Sequence, residues 1–152
     1  MEKSLIKEQL LNHLHELLNK KIETLQQYIQ LAKESRDNET KSSVGDKYET
    51  GRAMVQMELE KNQSQLNQIL NQKNELEKID VAKLSIAAEF GAIIITNLGN
   101  YFLSIGIGRI EMDNKSWFCI SISSAAGQVL YGKETGDVIQ FQGKEIEIQM
   151  IL

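Results

Sequence analysis

Ser42-Ser43-Val44-Gly45-Asp46-Lys47-Tyr48-Glu49 is a short polar break between two long segments whose apolar residues recur at helical spacing. Upstream, Leu11, Leu14, Leu18, Ile22, Leu25, Ile29 and Ala32 step by three and four, the stripe of an amphipathic α-helix. Two consecutive steps of four around Leu18 and Ile22 are a stutter that locally unwinds a supercoil. Downstream, Val55, Leu59, Asn62, Leu66, Ile69, Lys73 and Leu76 repeat the pattern, with Asn62 and Lys73 in the seam. Polar seam residues specify register or partner at some cost in stability. Each segment has one narrow apolar stripe and a polar back, so each must pair with another helix. The turn formers Asp37, Asn38, Ser42, Ser43 and Gly45 lie between them. They predict an antiparallel coiled-coil hairpin over 1–80 with its tip near 37–49. At ~1.5 Å per residue, about thirty residues per helix give a rod of roughly 45 Å. The chain has no proline, so nothing interrupts either helix.

After Asp80 the composition changes from Gln, Glu, Lys and Leu to Ile, Gly, Ser and Phe, which marks a second domain over 81–152. The β-rich runs Gly91–Thr96, Tyr101–Ile105 and Trp117–Ile122 are separated by the turn signals Asn97-Leu98-Gly99-Asn100 and Asp113-Asn114-Lys115. They predict an antiparallel sheet. Ser124 to Gly132 reads as a short helix with Ser124 as N-cap and Gly132 at its end. Gly136-Asp137 turns into Val138–Phe141, and Gln142-Gly143-Lys144 turns back into Glu145–Ile151. In that last run Ile146, Ile148 and Met150 alternate with Glu145, Glu147 and Gln149, as in a half-buried strand. The fold class is α+β.

The chain has 152 residues and a net charge of −4, too acidic to coat nucleic acid by itself, because backbone binding needs many Lys and Arg on phosphates. Any nucleic-acid contact is expected to be indirect. One cysteine, Cys119, excludes an internal disulfide, and no cationic-apolar leader or long apolar run is present. A cytoplasmic protein without membrane contact is the expectation. Cys119 lies in an apolar strand and reads as a small buried hydrophobe. His13 and His15 are two apart on a helix, face different ways and read as solvent-exposed. Gly106-Ile107-Gly108-Arg109 lacks the third glycine and the helix of a dinucleotide loop, so it reads as a bend.

Asp46 and Glu49 put two carboxylates at the end of the predicted rod. Their spacing also makes a capping box, with Asp46 as N-cap and Glu49 at N3. Both roles coexist if capping preorganises the acids. Lys41, Lys47 and Arg52 flank them and are the candidate nucleic-acid-proximal residues; Lys20, Lys21 and Arg36 read as a solvated face.

The run from Ile120 to Val138, with Ser121, Ser124, Gly127, Leu130, Gly132, Lys133, Gly136 and Asp137, resembles, without a gap as far as Asp137, the Ile-Ser-x-x-Ser-Pro-x-Gly-x-Ala-Leu-x-Gly-Lys-x-x-Gly-Asp-x-Val block of the bacterial Gre transcript-cleavage factors. The family's proline is Ala125 here and its alanine is Val129. Glu111-Met112-Asp113 resembles the family's Glu-Ala-Asp, and Gly91-Ala92 stands where a Gly-Ser opens the first strand. The resemblance implies a coiled coil followed by an FKBP-like domain. It implies docking at the rim of the secondary channel of RNA polymerase, with the coil reaching the polymerase active site. There Asp46 and Glu49, matching the family's Gly-Asp-x-x-Glu, would share the second Mg²⁺ of the polymerase and position the water that cleaves backtracked RNA. Mg²⁺ takes hard oxygen ligands, and a second metal stabilises attacking and leaving oxygens together. The chain would then have no cofactor of its own and would not be an enzyme. It would meet the nascent RNA 3′ end only indirectly and would be monomeric when free. The family continues Glu-Asn-Ala-Glu-Tyr where Glu49 is followed by Thr50-Gly51-Arg52-Ala53. That departure motivates a second expectation, a non-cleaving regulator of initiation or pausing that occupies the same channel.

Overall fold

The computed structural model describes residues 2–41 and 45–152, the side chains at 2, 4, 39–41 and 45–49 excepted. Two long helices, α1 (Glu2–Lys41) and α2 (Gly45–Glu77), precede β1 (Ile93–Thr96), β2 (Asn100–Leu103), β3 (Gly108–Met112) and β4 (Lys115–Ile120). Then follow α3 (Ala125–Leu130), β5 (Val138–Phe141) and β6 (Lys144–Ile151). The class is α+β. The chain forms two units, Met1–His13 with Glu75–Leu152, and Leu14–Asn74.

In the helical unit the two stripes bury each other. Leu25, Ile29, Leu59 and Leu66 form the seam core, with Ile22, Ala32, Val55 and Ile69 packed against it. Leu25 and Ile69 line one hollow and Ala32 and Val55 another, so early α1 faces late α2 and the pair is antiparallel. Asn62 is buried in that seam, and Lys73 is half-buried.

The other unit is built on a six-stranded sheet of order β3-β4-β2-β1-β6-β5. The sheet is mixed rather than antiparallel, because β2 and β4 run parallel, with Phe102 opposite Cys119. Strand chemistry explains the inversion. β3 carries Arg109 and Glu111, which form an exposed ion pair at 3.1 Å, and charge suits an edge strand. β4 carries the buried Trp117 and Cys119 and takes the interior place beside β2. The β3–β4 hairpin turns through Asp113 and Asn114 at φ +53° and +62°, the double positive of a type I′ turn.

Alternation sorts the strands into two faces. Ile94, Leu103, Ile148 and Ile151 share one core with Ala92 and with Leu130 of α3. Ile93, Phe102, Cys119, Trp117 and Ile110 are buried on the opposite face. In β6 the alternation predicted from sequence breaks after Ile148. Met150 is exposed and Ile151 is buried, because Ile95 pairs with Met150 while Thr96 pairs with Ile148. Gln149 is the extra residue of a β-bulge, which shifts the side-chain phase by one.

The motif between Ile120 and Val138 has a stereochemical task at nearly every position. Ser124 caps α3, its Oγ accepting from Gly127 N at 3.0 Å and donating to Ser121 O at 2.6 Å. Gly127 crosses the preceding main chain so closely that a Cβ would stand 2.1 Å from Ser121 O. Gly132 ends the helix at φ +81°, and its N–H donates to Ala88 O at 2.8 Å. Asp137 accepts through Oδ2 from Glu134 N at 2.8 Å, closing the turn into β5 around Gly136.

Lys7 occupies a stripe position, four residues before Leu11, and only 1% of it is exposed. Its Nζ donates to Lys83 O at 2.8 Å, clasping the start of α1 to the stretch after α2. Burial lowers its pKa, opposed by the Glu89 and Asp80 carboxylates. Hydrogen bonds from Lys83 and then Ser85, both at 3.0 Å to Glu89 Oε1, hold the Glu89 carboxyl below its ordinary value.

Two outcomes are expected from urea denaturation of the full chain. Gly127→Ala should cost about 1–3 kcal/mol, since the obstacle is main chain. Gly106→Ala, with open space around its Cβ, should leave the midpoint almost unmoved. The second concerns pH. The folded state holds the Lys7 proton less tightly than the unfolded chain, so the unfolded state binds more protons and this group's contribution rises with pH below 10.5. The stability difference between wild type and Lys7→Met should therefore shift toward wild type as pH climbs toward 10.5. A difference independent of pH contradicts it.

Candidate functional site

The break is shorter than its composition suggests. Asp37 and Asn38 lie inside α1, and the backbone from Gly45 to Glu49 already belongs to α2. Asn, Asp and Ser cost only a few tenths of a kcal/mol each in a helix, too little to stop one without a proline. Acids in a first turn are favoured by the helix dipole. Asp46 thus stands within the first turn of α2 rather than ahead of it as a cap. Asp46 and Glu49 are three residues apart on helical backbone, Lys47 lies between them, and Lys41 is the last residue of α1. The side chains of these four lie outside the described residues. Arg52, one turn further along α2, is exposed, and Gly51 beside it is half-buried. On α1, Arg36 Nε lies 3.7 Å from Asp37 Oδ1.

The described surface next to this end is apolar on one flank, which the single-stripe reading misses. Tyr28, Leu31 and Met54 are 54%, 61% and 66% exposed. Tyr28 and Leu31 border a hollow of about 360 Å³, floored by Ala32 and Val55, with Glu58 and Asn62 on the α2 side. A second hollow of about 330 Å³ lies among Lys20, Lys21, Thr24, Leu25 and Ile69. The signal was present in the sequence. Leu17, Lys21, Thr24, Tyr28, Leu31 and Ser35 keep alternate steps of four and three beside the main stripe, but only three of the six are large and apolar.

Cys119 is fully buried and its thiol is pushed up to about 12 by burial, so it supplies no thiolate at neutral pH. His13 and His15 are half-buried rather than exposed, because the turns of α1 around them are packed. Among the described residues no group of three or more His, Cys, Asp or Glu is placed to hold a metal ion. No described helix is long and apolar enough to cross a membrane.

Neither a family model nor a curated protein sequence matches the chain. Among solved structures, that of the transcription factor Gfh1 aligns over 93% of this chain and 92% of that one, at 14% identity and a TM-score of 0.34.

Proposed function

We propose that the chain is a Gre-like transcription factor that enters the secondary channel of RNA polymerase with its helical hairpin and stimulates cleavage of backtracked RNA. The observation that carries this reading is the block from Ile120 to Val138. Its match to the Gre pattern is gapless, and Ser124, Gly127, Gly132 and Asp137 each meet a need of the local fold. Two long helices joined across three residues support it, since they bring Asp46 and Glu49 into the first two turns of α2.

Asp46 and Glu49 supply hard oxygen ligands, the kind Mg²⁺ takes. Two carboxylates are too few to hold the ion alone, so the metal belongs to the polymerase and the acids complete its coordination. The polymerase is then the enzyme, and the nascent RNA 3′ end is met only at its active site. Lys41, Lys47 and Arg52 stand nearest that RNA.

Thr50-Gly51-Arg52 supports a second reading, a non-cleaving channel regulator of initiation or pausing. Arg52 follows Glu49 by three residues, the spacing of neighbours on a helix surface, where a cation competes with metal.

Stalled, backtracked complexes with Mg²⁺ separate the two. Under the first reading the wild type shortens the RNA, and Asp46→Ala or Glu49→Ala slows that by about a hundredfold. Polymerase binding, measured by co-sedimentation, stays intact. Undiminished cleavage by the double variant removes the acids from the chemistry. Binding without any shortening by the wild type leaves the second reading.

A further inference from the structure

One flank of the helical unit has a self-complementary pattern. Leu17 and Leu31 stand seven residues either side of Thr24, on the heptad-spaced edge of α1. The hollow on one side of Thr24 is rimmed by Lys20 and Lys21. The hollow on the other side holds Tyr28, Leu31 and Glu58. The opposite flank of α1 offers only Asn19, Gln26, Gln30 and Lys33, all exposed and polar.

We propose that two copies of this chain associate through this flank, antiparallel about a two-fold axis at Thr24. A rotation there brings Leu17 of each copy against Leu31 of the other, at the antiparallel spacing of heptads. It sets the Tyr28 and Leu31 side chains of one copy into the hollow among Lys20, Lys21 and Ile69 of its mate. It also carries Lys20 and Lys21 to the rim where the mate's Glu58 stands, so the basic hollow meets the acidic one twice. Thr24, the smallest side chain of the edge between Leu17 and Leu31, falls on the axis, where two backbones approach most closely. The face is isologous, so two copies use it up and association stops at two instead of running on as a fibre. The occupant is a second copy because the pattern is symmetric in both shape and charge, which a foreign helix has no reason to match. This does not rest on the polymerase reading, and it replaces the monomeric free state that the sequence resemblance implies.

Sedimentation equilibrium of the full chain over a concentration series tests it. A monomer–dimer equilibrium is expected, weakened about tenfold or more by Leu31→Glu, with helical content unchanged by circular dichroism. Lys21→Glu and Glu58→Lys should each weaken it, and the two together should restore it. In a Thr24→Cys variant a short bis-maleimide should link two chains, because the buried Cys119 is out of reach. Gln26→Cys, on the polar flank, should stay unlinked. A monomer at every concentration up to about 1 mM overturns the proposal. So do dimers indifferent to Leu31→Glu, or equal linking from both cysteines.

Discussion

A helix with a single apolar stripe has no stable existence in water until something covers the stripe, and that requirement organises this molecule. α1 and α2 meet it with each other over Leu25, Ile29, Leu59 and Leu66. Covering each large apolar side chain is worth about 1.5–3 kcal/mol, so the seam outweighs the cost of burying Asn62. The same requirement delivers the residues of interest: helices that must lie antiparallel bring their connection, and the acids beside it, to one end of the unit. The flank bearing Tyr28 and Leu31 is where covering stays incomplete, so it is the place to look for a further contact.

The α+β unit obeys a different constraint, close approach of main chain to main chain. At Gly127 the polypeptide passes where no side chain fits, and the Ser124 hydroxyl ties both strands of that crossing. The motif Ser-x-x-Gly is therefore a statement about packing α3 against its own lead-in. Lys7 shows the opposite compromise. A cation on an apolar stripe is expensive to bury, yet it makes a directed bond to Lys83 O that an aliphatic residue could not.

The hairpin, its seam and the buried Asn62 were legible because 3.6-residue periodicity is a property of local sequence. The strands were legible for the same reason, and so was the Ser124 cap. The parallel pairing of β2 with β4 was not, because runs of β-branched residues are silent about their neighbours in a sheet. The phase slip at Gln149 was hidden too: alternation assumes unbroken register, and a bulge breaks it. The extent of the break misled because Asp37, Asn38 and Gly45 are turn formers only where nothing holds the helix together.

By itself the sequence determined that two amphipathic helices precede an α+β unit, that Asp46 and Glu49 stand one helical turn apart beside their connection, and that Ser124, Gly127 and Asp137 recur at the spacing of a known block. These are matters of order and interval along the chain. Only the tertiary structure decided which strand takes the edge, where Lys7 finds its acceptor, and that Tyr28 and Leu31 stay in water beside a covered seam. Those depend on what each side chain meets across space, and no interval along the chain encodes a neighbour that arrives from seventy-six residues away.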